Sequence, residues 1–493
     1  MCIPTDLYRP SLMLLTDLYH LTMAYGYWKS GVGDCAAVFH LFFRTQPFGG
    51  GYSIACGLHY AIEWLKAFRF QGEDLEYLGT LAGHDGAPLF EPAFLDYLRE
   101  LRFTCDVDAI PEGTVVFPHE PLIRVRGPII QGQLLETPLL NMINFQTLVA
   151  TKAARVCQAA RDEAVLEFGL RRAQGFDGGL AASRAAFVGG CAATSNVLAG
   201  RLFGIPVRGT HAHSWVMSFD SELEAFQAYA DAMPNNCVFL VDTYDTLDGV
   251  RRAIEVGRNL RARGRSLLGV RLDSGDFAYL SIEARRLLDE AGFHDTAIVA
   301  SNELDEHIIA SLKNQGATIN VWGVGTKLIT AYDHPAMGGV YKLGAIRRPG
   351  GKWEHKVKLS EQALKVSNPG IQQVRRFLHE HEFLADMIYD EQTWPPLGAA
   401  ADGVIVDPLD PTRRKRLPAD APFEDLLVPV FRNGEPRFAP PPLDAVRART
   451  QAQLSALHPG IRRFVNPHQY PVGLELSLHD LKEHLILKAR GLA

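Results

Sequence analysis

The stretch SLLGVRLDSGD (266–276) is an apolar run that stops at an arginine, two acids and a glycine, and a helical pattern follows it. Five more segments share this layout: AVLEFGLRR (164–172), IPVRGTHAHS (205–214), CVFLVDTYDT (237–246), AIVASNELDE (297–306) and INVWGVGTKL (319–328). Strand followed by helix, repeated, predicts a parallel sheet, and closing that sheet makes a (β/α) barrel. Chemistry in such barrels sits at the carboxyl ends of the strands. Here those ends collect Arg, His, Asp, Asn and Thr, a set suited to an anionic, phosphorylated substrate.

The chain has 493 residues, too many for a single core. With 47% apolar and 22% charged residues it has the composition of an ordinary globular protein. Its net charge of −6 offers no general attraction for nucleic acid, and no apolar stretch reaches the roughly 18–20 residues of a membrane span. The start, MCIPTDLYRPSL (1–12), lacks the basic and then apolar pattern of a signal peptide. The seven cysteines are scattered without a CxxC pair, as expected of buried free thiols in a cytoplasmic enzyme.

Around the repeating core the pattern changes. TDLYHLTMAYGYWKS (16–30) reads as a helix capped by Thr16, and AAVFHLFFR (36–44) as a strand. Helical patterns cover 57–68, 92–103 and 134–161, and two short strands lie at 114–118 and 122–126. Beyond Gly338, YKLGAI, KVKLS and QQVRRFLHEHEFLADMIYD read as antiparallel strands. Prolines 395, 396, 408, 411 and 440–442 then punctuate the chain before two terminal helices. The expected architecture is α/β, with an irregular (β/α) barrel core, an N-terminal α/β domain and a mixed C-terminal domain. The corresponding spans are 1–135, 136–345 and 346–493.

Side chains alternate along a strand, so Arg271 and Asp273 can share the barrel mouth. Arginine supplies a planar donor fork for a carboxylate or phosphate, while Asp273 can take ribose hydroxyls or a Mg²⁺ carried by pyrophosphate. A structural ion pair is the plain alternative. Gly323, Gly325 and Thr326 end the last barrel strand, where glycine lets backbone close around a phosphate, although GxG is common in any tight βα turn. Arg171 and Arg172 add positive charge to that mouth, or form a solvated basic turn. In GTHAHS (209–214) a histidine could act as base, nucleophile toward phosphate or charge partner. His211 and His213 at i and i+2 could also ligate a metal, but the later strand ends provide no further histidine. Asp242–Asp245 and Ser301–Asn302 are less specific, since Asp and Asn can cap the following helices, which explains much of their presence. Tyr19, outside the barrel, reads as core.

Seven segments together resemble the nicotinate phosphoribosyltransferase family: TDLYHLTMAY (16–25), FFRTQPFGGGY (42–52), EFGLRRAQG (167–175), GTHAHSWV (209–216), FLVDTYDT (239–246), GVRLDSGD (269–276) and GVGTKL (323–328). Their order and spacing agree from about residue 11 to 376; beyond that the agreement is in outline. The resemblance implies a type II phosphoribosyltransferase that condenses nicotinate with phosphoribosyl pyrophosphate, giving nicotinate mononucleotide and pyrophosphate for NAD salvage. It implies coupling to ATP hydrolysis through a phosphohistidine, which by motif is His213; His211 falls at a variable position and receives no role. His213, Arg271 and Asp273 are then the catalytic set. Tyr19 would lie on the pyridine ring, Thr210 and Arg271 would meet nicotinate, and Arg171 would join the same anionic pocket. Asp273 would hold ribose hydroxyls or Mg²⁺, Gly323, Gly325 and Thr326 the 5′-phosphate, and Lys358 and Ser360 the pyrophosphate. Family members are homodimers with shared active sites, which lets Tyr19 act across the interface. Two rivals stay open: an enzyme for nicotinamide or quinolinate, and a non-catalytic sensor of the nucleotide product.

Overall fold

The computed structural model describes residues 11–393 and 403–492, which form two compact units. One contains residues up to Leu148 together with those from Ala336 onward; the other is the single span Val149–Pro335. The chain thus leaves its first unit, builds the second, and returns.

The second unit carries the repeating pattern. Its parallel sheet runs in the order Ala193–Thr194, Ala164–Glu167, Val321–Val324, Ala297–Asn302, Gly269–Leu272, Val238–Leu240. Five of the six expected apolar runs therefore form strands. The sixth, IPVRG, makes only a bridge from Val207 to Thr194, because Pro206 has no amide to donate. The two-residue strand Ala193–Thr194 is not foreseen by the pattern. The intervening helices fall where the apolar spacing puts them, as in Thr246–Ala262 and Phe277–Glu290, whose Val250, Ile254, Ala284 and Leu288 are buried. Asp245, Asp276 and Asp305 each cap the helix that follows a strand. Lys152 and Arg155 reach Glu306, both at 2.7 Å, and all three are buried, so the charges satisfy one another.

The first unit holds two larger sheets. In one, Ala36–Phe43 is central, antiparallel to Ile123–Pro128 on one side and to Gly339–Arg347 on the other. In the other, Gln372–His379 and Glu382–Asp390 form a hairpin, with Val472–Glu475 parallel to the second of these strands. Of the C-terminal expectations, KVKLS forms no strand. Pro395 and Pro396 lie outside the described residues. The first long helix starts at Leu18, with Asp17 rather than Thr16 at its N-cap. Among the described residues no helix is long and apolar enough to cross a membrane, and the six described cysteines are free thiols.

Candidate active site

The carboxyl ends of the parallel strands surround a cavity of about 240 Å³. Most of the residues singled out in the sequence line it: Arg171, Thr210, Arg271, Asp273, Gly323, Gly325 and Thr326. A larger cavity of about 750 Å³ lies in the first unit, near His119 and Tyr470, and holds none of them.

Arg271 organises the mouth. Its Nε donates to Ser301 Oγ at 2.7 Å, one terminal nitrogen to Thr210 Oγ1 at 3.0 Å, and the other to Asp273 Oδ1 at 2.8 Å. The planar fork thus serves three partners from three chain segments, each at charge-assisted distance. The Ser301 hydroxyl also donates to Asp273 Oδ1. Burial would raise the Asp273 pKa, but the bond from Ser301 and the charge of Arg271 outweigh it, so the carboxyl is held below its usual range. Asp273 therefore stays ionised in the mouth.

Asp242 is the first departure from the sequence reading. Asp245 caps the helix instead, and Asp242 Oδ2 accepts the Asp273 amide at 2.9 Å and the Ser274 hydroxyl at 2.6 Å. Asn302 is no cap either: Asp305 takes that place, and the Asn302 amide donates to the Asp273 carbonyl at 2.8 Å. Asn302 has φ of 116°, a left-handed strain of the kind that collects at functional sites. Asp242 Oδ1 is buried with no hydrogen-bond partner among the described residues, and Asp273 Oδ2 lies 3.8 Å from His213 Nε2. Two carboxylate oxygens left without donors on neighbouring strands suit a hard divalent cation.

His213 opens the short helix His213–Met217; it is not among the residues lining the 240 Å³ cavity, and its side chain is 40% exposed. Its Nδ1 lies 3.1 Å from the Thr243 hydroxyl, which fixes the ring. His211, two residues earlier, is buried instead.

Gly323 is required by shape. A Cβ there would come within 2.8 Å of the Phe168 ring, which faces Arg271 with 5.8 Å between guanidinium carbon and ring centroid. Gly323→Ala is expected to cost about 1–3 kcal/mol through overpacking, measured as a lower melting temperature. Nothing comparable crowds Gly325, where the nearest atom to such a Cβ is 3.4 Å away. Thr326 begins the last turn of the mouth, but its hydroxyl donates to Glu303 at 3.0 Å, so a phosphate taking that hydroxyl has to displace a carboxylate. Glu303 and Ser301 are the lining residues that the sequence reading underrates. Arg171 and Arg172 sit on an exposed turn at the rim. Tyr19, Lys358 and Ser360 belong to the first unit and do not line this cavity; Tyr19 is 48% exposed.

Three family models cover nearly the whole chain: the nicotinate phosphoribosyltransferase N-terminal domain at residues 14–144, the nicotinate phosphoribosyltransferase family at 164–354, and the C-terminal domain at 371–482. The chain belongs to the nicotinate phosphoribosyltransferase family. It is 45% identical to the nicotinate phosphoribosyltransferase of Bacillus subtilis, across 94% of this chain and 93% of that one. The human nicotinate phosphoribosyltransferase is 36% identical, with 96% of each chain covered. The crystal structure of human nicotinic acid phosphoribosyltransferase superposes with a TM-score of 0.81, at 34% identity, covering 95% of this chain and 99% of that one. A nicotinate-nucleotide pyrophosphorylase from Pyrococcus furiosus, 21% identical with a TM-score of 0.68 over 90% of this chain and 96% of that one, shares the fold. Within the nicotinate phosphoribosyltransferase family model falls the entire lining of the 240 Å³ cavity.

Proposed function

We propose that the barrel mouth condenses nicotinate with phosphoribosyl pyrophosphate, giving nicotinate mononucleotide and pyrophosphate in NAD salvage. One observation carries the reading: in the mouth the Arg271 guanidinium donates to Thr210 beside an ionised Asp273. The Arg271 guanidinium is a cation for a pyridine carboxylate, whereas the uncharged amide of nicotinamide gains no charge pairing there. The pyridine nitrogen forms a bond to ribose C1 as the C1–O bond breaks, and pyrophosphate leaves with the electron pair. Positive character gathers on the ribose ring, and Asp273 is the anion that faces it. Arg171 and Arg172 at the rim favour the polyanionic leaving group, and Gly323, Gly325 and Thr326 take the 5′-phosphate. Asp242 and Asp273 would hold Mg²⁺, which, when bound, offsets the charge of the pyrophosphate.

ATP enters this reading as a co-substrate that phosphorylates His213, an exposed ring already oriented by Thr243. A homodimer in which Tyr19 of a second copy covers the pyridine ring completes the expectation. Turnover with nicotinate, nicotinamide and quinolinate, each with phosphoribosyl pyrophosphate, tests the acceptor. Nicotinate is expected to lead by at least tenfold, since a site built for one polar group rejects analogues lacking it. Equal turnover with nicotinamide would sink the carboxylate assignment.

A further inference from the structure

The sheet of the second unit has two ends, and they meet. On one side is the segment that follows the Val207 bridge; on the other is the strand Val238–Leu240. Among the described residues no backbone hydrogen bond joins them. An edge amide in such a wall still requires an acceptor. The Leu240 amide finds it in a side chain: it donates to His211 Nε2 at 3.2 Å.

Two neighbouring contacts follow the same logic. The Asn236 side-chain amide donates to the Gly209 carbonyl at 3.3 Å, and His213 Nδ1 lies 3.1 Å from the Thr243 hydroxyl. Residues 209, 211 and 213 therefore tie to 236, 240 and 243, three contacts that each use at least one side chain to cross the seam. Thr210, between them, turns the other way. Its hydroxyl donates to the His211 carbonyl at 3.2 Å and accepts from Arg271 at 3.0 Å. The orientation of the His211 backbone thus sets the direction in which Thr210 presents its oxygen.

The ring is built for this task. It is 7% exposed and packs among Phe226, Tyr229 and Phe239, with centroid separations of 6.0, 5.0 and 6.3 Å. Since Nε2 accepts, Nδ1 carries the proton and points at the Ala212 carbonyl, 3.4 Å away. Burial pushes the His211 pKa down to about 4, the Ala212 carbonyl only partly opposing it. A protonated ring would set N–H against N–H at Leu240, so the seam and the neutral tautomer support each other.

We propose that His211 is a positioning residue: its Nε2 replaces the strand pairing missing at the seam, and so holds Thr210 on Arg271 and His213 on Thr243. The inference rests on the reading of the mouth as the nicotinate site. It separates the two histidines of GTHAHS by job, one structural acceptor and one exposed ring.

Two variants test it. His211→Gln can bring an amide oxygen to the place of Nε2, while His211→Phe keeps the aromatic packing and has no acceptor. Leu240 amide exchange is expected to quicken by about tenfold in the Phe variant, the effect of leaving one amide unpaired, and to stay near the parent rate in the Gln variant. The KM for nicotinate is expected to rise about tenfold in the Phe variant, with a smaller change in kcat, and to recover with Gln. Unchanged Leu240 exchange in the Phe variant, or equal KM shifts in both variants, overturns the proposal. If the Phe variant does not fold, ¹⁵N-histidine spectra of the parent protein decide: an Nδ1–H tautomer supports the proposal, and an Nε2–H tautomer overturns it. A parent protein without turnover on nicotinate removes the functional reading, and the exchange and tautomer results then still decide the seam.

Discussion

Arg271→Ala is expected to lower kcat/KM for nicotinate by about 10²–10³-fold, the cost of deleting one member of a partly buried, hydrogen-bonded charge cluster. The loss has two parts. The carboxylate of the acceptor forfeits its cation, and the Asp273 carboxylate, now lacking its nearest positive charge, is left to repel the incoming anion. Ser301 and Thr210 lose a shared partner as well, so the mouth also loosens. Arg271→Lys is expected to recover little of this, because one ammonium cannot occupy three fixed directions. Steady-state kinetics with nicotinate varied at saturating phosphoribosyl pyrophosphate measure it. A fall of less than about fivefold in the alanine variant would show that Arg271 is a structural ion pair, the plain alternative raised by the sequence.

His213→Ala is expected to abolish stimulation by ATP while leaving a basal condensation. Phosphorylation puts a dianion on a ring whose Nε2 stands 3.8 Å from Asp273 Oδ2. On the proposed reading, that charge is expected to rearrange the cations and hydroxyls around the mouth and so to change affinity. Coupling between two sites of this kind is typically about 1–3 kcal/mol, or about 5–150-fold in affinity for phosphoribosyl pyrophosphate. The variant should therefore show the unstimulated KM whether or not ATP is present, and should incorporate no acid-labile phosphate from labelled ATP. Persistence of ATP stimulation in the variant rules out His213 as the carrier.

Much of this architecture is legible in the sequence because the signals are local. Gly269–Leu272 and Ala297–Asn302 are apolar runs with sharp polar ends, and Asp273, one residue past the strand that carries Arg271, meets its guanidinium as the two-residue spacing suggests. Where a feature depends on a distant partner the pattern is silent. The pairing of Ala36–Phe43 with Gly339–Arg347 has no local sign, and Ala193–Thr194 is too short to show a period. Asp242 looks like a cap because it precedes a helix, yet its bonds go to Asp273 and Ser274, some thirty residues onward. His211 is opaque for the same reason: its partner is a backbone amide, and amides carry no sequence signal. Ser301 could have been found by extending to the Ala297–Asn302 strand the alternation argument applied to Arg271.

The order in which the chain is synthesised gives the two-unit arrangement a kinetic meaning. Ala36–Phe43 leaves the ribosome early and can pair with Ile123–Pro128, but the partner of its other edge is Gly339–Arg347. At ordinary translation rates that partner is about 15–60 s behind. Through that interval a nearly all-apolar strand, AAVFHLFF, has an open edge, because the whole span 149–335 has to be made first. The nascent protein is thus expected to be most vulnerable to aggregation while its second unit is still being synthesised and its first waits for its other half.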